Sequence, residues 1–113
     1  MAGTDADDGE LAAVYAPLDA ATVVYGHIHR PYTRALDGGL TIANSGSVGM
    51  PFDGDPRASY LLIEDAQPRL VRVQYDVERE AALLLRSGYP DAPRLAEMRR
   101  RGVFVKPETP LAG

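Results

Sequence analysis

Helical spacing of apolar residues appears first near the amino end of the chain. Four apolar residues carry that spacing: Leu11, Val14, Tyr15 and Leu18. Asp7 or Asp8 is placed to cap the predicted helix, and Pro17 is expected to end it. Residues 21–25 then form a continuous β-prone run, which predicts a buried central strand that stops at Gly26.

The middle of the chain predicts a hairpin followed by a long loop. Residues 32–36 and 40–43 are short β-prone runs, and Asp37-Gly38-Gly39 between them is a strong hairpin signal. The segment 44–57 then contains three glycines and two prolines, which break regular structure. Long structured loops in small domains tend to be functional, so we expect this loop to contribute to a site.

A second pair of strands is expected at residues 59–64 and 70–75. The chain is predicted to turn between them around Gln67-Pro68. In the second strand, apolar and polar residues alternate, which predicts one buried face and one wet face. The predicted buried face consists of Val71, Val73 and Tyr75.

Two helices are predicted after the strands. Asp76 is placed to cap the first, which runs to about Ser87, and its expected core face is Ala81, Leu84 and Leu85. Pro93 opens the second helix and Gly102 closes it. Its basic end, residues 99–101, could meet phosphate, but cations in a last helical turn more often suit the helix dipole.

Composition fits one globular domain of 113 residues, with 45% hydrophobic and 25% charged residues. We divide it into an N-terminal helix (1–20), a sheet with a histidine pair and a loop (21–76), helices (77–102) and a tail (103–113).

Cysteine is absent, which excludes disulfides and thiolate metal sites. A net charge of -4 argues against a nucleic-acid partner, and the lack of long apolar runs argues against a membrane span. We expect a cytoplasmic protein.

The candidate chemistry lies in the chain's two histidines, His27 and His29. In an extended strand such residues share a face with Cα atoms roughly 6.5–7 Å apart. Parallel imidazoles would each hold one ion of a pair about 3.5–4 Å apart, or together chelate one ion. Gly26 is expected to allow a sharp exit from the strand. Two bystander side chains remain the alternative, because a bare His-x-His is common.

Other polar residues near the pair are weaker candidates. Arg30 is a candidate fork donor to a phosphate, with an ordinary surface charge as the alternative. Asn44 and the Ser45-Gly46-Ser47 stretch after it are candidates for hydrogen bonds to a ligand, although turn formation is the commoner use of these residue types. Loop acids are mostly solvated, so a metal role is the minor alternative for Asp37, Asp53 and Asp55.

The stretch 23–32 resembles the last signature of the calcineurin-like metallophosphoesterase superfamily: an apolar strand, then Gly-His-x-His, often followed by Arg-Pro. The stretch 44–49 follows at the spacing of the smaller bacterial members, with Ser45 where the family often has proline. Residues 53–60 continue the likeness into the next strand. The resemblance covers roughly residues 19–76 well and the following helix loosely.

This resemblance implies both a fold and a site. The family fold is an α/β/β/α sandwich, of which this chain would form the C-terminal part: a mostly antiparallel sheet with two to three helices. Family members hydrolyse phosphate mono- or diesters with a hydroxide activated by two divalent metals. His27 would bind the second metal and His29 the first. Imidazole suits Mn, Fe, Ni and Zn, so the metal stays open.

The family's earlier metal signatures have no match in the chain. Asp-x-His and Gly-Asn-His are absent, and Gly54-Asp55 lies after the final motif. Since each divalent ion takes four or more ligands, we expect the C-terminal half of a phosphoesterase that is inactive without an N-terminal half. Half a sandwich exposes a sheet face, so a homo-oligomer or pairing with a separate N-terminal half is predicted.

Whether the chain alone is an enzyme stays open at this point. The alternative is a non-catalytic metal-binding or assembly module that oligomerises through its exposed sheet face. A third hypothesis is a metal site built across an oligomer interface by the histidine pairs of two chains.

Overall fold

The computed structural model describes residues 5–107, and the first helix lies close to its amino end. Helix α1 (Asp8–Tyr15) is capped by Asp7, whose carboxylate accepts a hydrogen bond from the Glu10 amide at 2.8 Å, and a 3₁₀ turn (Ala16–Leu18) follows. Leu11 and Tyr15 are buried in a cluster with Leu36 and Ile42. Val14 and Leu18 are exposed, so the apolar face of α1 is narrower than its spacing predicted.

A three-stranded sheet carries the candidate site. It consists of β1 (Thr22–Tyr25), β2 (Tyr32–Ala35) and β3 (Thr41–Asn44) in the order β1-β3-β2. β3 runs parallel to β1 and antiparallel to β2. The prediction that β1 is central was wrong, because the crossover through β2 returns the chain beside β1 and places β3 in the middle. Ile42 of β3 is fully buried, whereas Val24 of β1 is 45% exposed.

The second sheet is a hairpin of β4 (Ala58–Glu64) and β5 (Gln67–Val73). Its turn is at Asp65-Ala66 and not at the predicted Gln67-Pro68, which pair within β5. Both turn residues have positive φ, as a tight two-residue turn that matches strand twist requires. The predicted faces of β5 were also wrong: Arg72 turns inward to bind the carboxylate of Asp53, and Val73 is left 45% exposed.

Helices α2 (Val77–Arg86) and α3 (Ala92–Arg101) form a helical hairpin after the strands. The Asp76 carboxylate caps α2 by accepting from the Arg79 amide at 3.0 Å, and Gly102 ends α3 with a φ of +67°, as predicted. Ala81 is buried, but Leu85 is 44% exposed, so its assignment to the core face was wrong.

The mixed α/β class with three helices and mostly antiparallel pairing is confirmed, with the strands divided between two small sheets. The molecule measures 49 × 34 × 18 Å, so its thinnest dimension has room for two layers packed ~10 Å apart. In the described part of the chain, the ten-residue α2 and α3 are far shorter than a bilayer crossing requires, and no helix qualifies as a membrane span. The predicted tail beyond residue 107 lies outside the described residues.

Candidate metal centre

The histidine pair lies at one edge of the three-stranded sheet. Tyr25, the last residue of β1, is in register with Asn44, the last residue of β3. Parallel neighbours end at the same edge, which is where α/β folds usually bind ligands. Two loops therefore leave this edge side by side: residues 26–31, here called the histidine loop, and residues 45–57, here called the support loop.

His27 occupies a strained backbone conformation. Its φ is +73°, and the Ile28 amide donates to the Gly26 carbonyl at 2.9 Å, which makes a γ-turn with His27 at its centre. The expected extended geometry for the pair was wrong, because the strand ends at Tyr25 and the chain reverses locally at His27. Gly26 has a φ outside the left-handed region, so the sharp exit is made by His27 itself.

His29 is held by side-chain and backbone contacts. Its Nδ1 lies 2.9 Å from the Met50 carbonyl oxygen, and its own carbonyl accepts from the Phe52 amide at 2.7 Å. A carbonyl oxygen accepts hydrogen bonds only, so Nδ1 carries a proton, and in the neutral ring Nε2 keeps its lone pair. The Phe52 ring stacks on the imidazole, with centroids 4.9 Å apart and planes 21° apart. The ring of His29 is therefore fixed in tautomer and in orientation.

The support loop is anchored at both of its ends. Near its start, the Ser47 hydroxyl accepts from the Met50 amide at 2.9 Å, and the Ser59 hydroxyl donates to the Ser45 carbonyl at 2.9 Å. Near its far end, the Gly54 amide donates to the Gly102 carbonyl at 2.8 Å. Pro51 between these anchors is almost completely buried. The loop thus presents Met50 and Phe52 to His29 from a rigid frame.

The acidic residues of the support loop are already paired with arginines. Asp55 receives the Arg57 guanidinium at 2.7 Å, and that hydrogen bond lowers the pKa of Asp55 to about 2. Asp53 receives Arg72. Asp37 lies in the exposed turn between β2 and β3, at the opposite edge of the sheet. The structure therefore does not bring the three loop acids to the histidine pair.

Asn44 lies beside the pair but inside the protein. It is fully buried, and its Oδ1 accepts from the Gly46 amide at 2.7 Å, which is the turn geometry weighed against a ligand role. Its Nδ2 is buried without a hydrogen-bond partner among residues 5–107. Gly46 has a φ of +73°, and an added Cβ would come within 2.9 Å of Pro31, so this turn packs directly against the histidine loop.

The two arginine candidates differ in their surroundings. Arg30 is exposed at the end of the histidine loop, and its guanidinium forms no ion pair with a carboxylate among residues 5–107. The basic end of α3 is occupied within the molecule: Arg100 contacts Glu78 at 3.0 Å and Arg101 contacts Glu97 at 3.2 Å. Arg99 donates to the Gly49 carbonyl at 2.9 Å. These contacts therefore favour a structural role for residues 99–101 over phosphate binding.

Two tyrosines that sequence analysis missed join the ends of the histidine loop. The hydroxyl groups of Tyr25 and Tyr32 are 2.6 Å apart, and the Tyr15 ring stacks on Tyr25 with centroids 5.7 Å apart. Burial, followed by the hydrogen bond to Tyr25, raises the pKa of Tyr32 above its ordinary value. The only sequence signal was their position on either side of the loop, with Tyr25 before Gly26 and Tyr32 after Pro31.

The donor set fits part of a metal site. The free Nε2 of His29 and the exposed imidazole of His27 are borderline ligands that suit transition-metal ions. In the described range 5–107, however, no three residues of the types His, Cys, Asp and Glu cluster closely enough to hold an ion. A complete site needs ligands from elsewhere.

The comparisons with known proteins agree on one family. Residues 3–67 match the family model of the calcineurin-like phosphoesterase superfamily domain. The crystal structure of a metallophosphoesterase from Sphaerobacter thermophilus matches with a TM-score of 0.67 at 31% identity, over 82% of this chain and 46% of that chain. Hypothetical protein PH1004 from Pyrococcus horikoshii OT3 shares the fold, with a TM-score of 0.68 at 15% identity over 89% of this chain and 40% of that chain.

A curated relative is the uncharacterized protein MJ0912 of Methanocaldococcus jannaschii. It is 28% identical over 85 residues, which cover 61% of this chain and 35% of the relative. The chain spans less than half the length of the relatives and structures it matches.

Proposed function

The chain belongs to the calcineurin-like phosphoesterase superfamily, and from that premise we propose that His27 and His29 are ligands in the two-metal centre of a metal-dependent phosphoesterase. The proposed substrate is a phosphate mono- or diester, and the proposed location of the protein is the cytoplasm. His29 binds the first metal and His27 the second.

The observation that carries the proposal is the hydrogen bond between His29 Nδ1 and the Met50 carbonyl. Metal-binding histidines usually donate their second ring N–H to a carbonyl or carboxylate, which fixes the tautomer and raises the basicity of the ligating nitrogen. A bystander histidine needs no such support. The strained γ-turn at His27 agrees with this, since backbone strain of about 1–3 kcal/mol tends to collect at functional sites.

The chain's own residues orient the site. When bound, two divalent ions lower the pKa of water and neutralise charge on phosphate oxygens. Phe52 covers one face of the His29 imidazole and limits the access of water there. Arg30 offers planar N–H donors to a phosphate beside the pair. Asn44 serves the site indirectly, by holding Gly46 against Pro31.

The remaining metal ligands come from an N-terminal half of the family fold, within the same polypeptide or in a separate chain. Two imidazoles are too few for two ions that each take four or more ligands. The greater length of the relatives supports this division, since this chain covers 46% of the Sphaerobacter thermophilus protein. The metal is Mn, Fe, Ni or Zn, all of which suit imidazole.

A Mn²⁺ titration of the purified chain, with light scattering to follow its oligomeric state, tests the proposal. We expect two weakly bound ions, one of which is lost in His29→Ala and the other in His27→Ala, with no hydrolysis of p-nitrophenyl phosphate by the chain alone. Asp37→Asn is the matched control, because this acid lies at the opposite edge of the sheet. Two bound ions in either variant, or the loss of both ions in one of them, would contradict the ligand assignment. Turnover by the chain alone would contradict the division of the centre.

A second candidate is an assembly module that oligomerises through an exposed sheet face. The observation that favours it is the presence of two half-exposed apolar side chains on β4 and β5, Tyr60 at 42% and Val73 at 45%. Tyr60 and Val73 share one face of the hairpin. In that case light scattering gives a multiple of 12.2 kDa, and Val73→Asp reduces the mass while both histidine substitutions leave it unchanged. A mass that falls in His27→Ala or with a chelator would instead favour a metal site across the interface.

A further inference from the structure

We propose that Arg99, on helix α3, is a positioning residue for His29 and acts through the backbone of Gly49 and Met50. The inference rests on the proposed metal role of His29, but its central contact is independent of any metal. Arg99 connects the C-terminal helical hairpin to the candidate centre. It lies outside the histidine motif and outside residues 3–67, which match the family model.

A single peptide unit lies between Arg99 and His29. The Arg99 Nη1 donates to the Gly49 carbonyl at 2.9 Å, and the Met50 amide of the same peptide plane donates to the Ser47 hydroxyl at 2.9 Å. Both polar atoms of this plane are therefore fixed, and a peptide plane moves as a unit. The next carbonyl along the chain, that of Met50, accepts from His29.

Pro51 removes most of the remaining freedom between that plane and the Met50 carbonyl. A residue before proline is restricted to extended conformations, so the torsion that aims the Met50 carbonyl has a narrow range. Pro51 itself is almost completely buried. With the Gly49–Met50 plane fixed, the direction of the Met50 carbonyl follows, and that direction sets the His29 ring.

The packing of α3 fixes the position of the Arg99 backbone. The end of α3 is docked on the support loop, because the Gly54 amide donates to the Gly102 carbonyl at 2.8 Å and a Cβ at Gly102 would come within 2.8 Å of Asp55. The Arg99 side chain is only 21% exposed, with Glu80 at 3.9 Å. Its Nε is buried without a hydrogen-bond partner among residues 5–107. Within that range the guanidinium donates its hydrogen bond from Nη1 to the Gly49 carbonyl.

The tautomer of His29 in the metal-free chain is the direct readout. Long-range ¹H–¹⁵N spectra at alkaline pH resolve neutral imidazole tautomers, and this chain has only two histidines to assign. We expect the Nδ1–H form for His29 in the unmodified protein. Arg99→Met keeps the apolar stem but removes the donors, and we expect a shift toward the Nε2–H form while His27 keeps its signals.

A conservative variant and a matched control separate positioning from general stability. Arg99→Lys retains a donor and should restore the Nδ1–H form. Arg100→Met makes the same chemical change one residue away, where the guanidinium contacts Glu78 and not the support loop, and should leave the tautomer unchanged. An unchanged His29 tautomer in Arg99→Met, or an equal shift in Arg100→Met, would overturn the inference.

Metal affinity gives the second readout. Loss of an outer partner of a metal ligand typically weakens binding 10- to 100-fold, and we expect about 10-fold weaker Zn²⁺ binding in Arg99→Met because Arg99 acts one step further out. If Arg99→Met does not fold, Gly49→Ala decides, since its methyl group would lie 3.0 Å from the Arg99 Nη1 and move it by a few tenths of an ångström with α3 intact. A tautomer shift without any histidine-dependent metal binding would leave the Arg99 contact standing and refute the proposed function instead.

Discussion

His27 and His29 are two residues apart, yet the protein holds them in opposite ways. His29 is half-buried, with its ring fixed by the Met50 carbonyl and the stacked Phe52. His27 is exposed, and what fixes it is the backbone, through a γ-turn with a φ of +73°. One candidate ligand is therefore oriented by a supporting loop, and the other by local strain.

This difference means that the two ligands should respond to different perturbations. Damage to the support loop should release His29 and leave His27 in place. Relief of the backbone strain should affect His27 alone. A site built in this way keeps one fixed imidazole and one that reaches into solvent, which suits a centre whose other ligands come from another part of the family fold.

The largest expected effect is that of Phe52→Ala, which removes the support of His29. We expect a loss of about 2 kcal/mol in the free energy of unfolding, below the usual cost for a fully buried phenylalanine because Phe52 is half-buried. Zn²⁺ affinity should fall about 10-fold. Calorimetry of unfolding and of binding measures both. Phe104→Ala is the control, since that ring is 56% exposed and packs edge-to-face against Phe52. An equal loss of affinity in the control would argue against the role of the stacked ring.

A smaller effect is expected from the pair His27→Gly and His27→Ala. Both lose the imidazole, but only glycine adopts a φ of +73° without strain. The glycine variant should be more stable than the alanine variant by about 1 kcal/mol, as measured by denaturant unfolding. Equal stability of the two would mean that the γ-turn relaxes in solution, and the account of His27 would then be wrong.

The smallest effect is expected at the far end of the support loop. Arg57 lowers the pKa of Asp55 to about 2, so the ionised carboxylate favours the folded state. The resulting stabilisation is complete above about pH 4, the ordinary range of an aspartate pKa, and is lost as the pH falls toward 2. Because the pair is partly exposed, Asp55→Asn should cost about 0.5 kcal/mol at pH 7 and only a small fraction of that at pH 2. Unfolding curves at the two pH values test this, and a cost that persists in full at pH 2 would exclude the ion pair as its source.

Signals carried by side-chain type predicted much of this fold. Asp7 and Asp76 cap their helices, Gly102 ends the last helix, and Asp37-Gly38-Gly39 joins two paired strands. Each of these depends on contacts within a few residues, which is the range that a sequence pattern describes. The histidine motif belongs with them, because its place after a strand is also local.

The errors came from features that no side-chain pattern encodes. The sharp exit expected at Gly26 is made by His27, and the second hairpin turns at Asp65-Ala66, where alanine gives no turn signal. The Met50 carbonyl that orients His29 is a backbone atom with no sequence signature, and Arg99 reaches Gly49 across 50 residues. Tertiary packing also made β3 the central strand, although the sequence of β1 is equally apolar.

Zinc K-edge X-ray absorption distinguishes whether His27 and His29 bind different ions or share one. The chain would be loaded with one and then two equivalents of Zn²⁺, and the number of imidazoles per ion counted from the coordination shell. We expect one imidazole per zinc at both loadings, with oxygen ligands completing the shell. Two imidazoles on one zinc, or a shell without imidazole, would contradict this expectation.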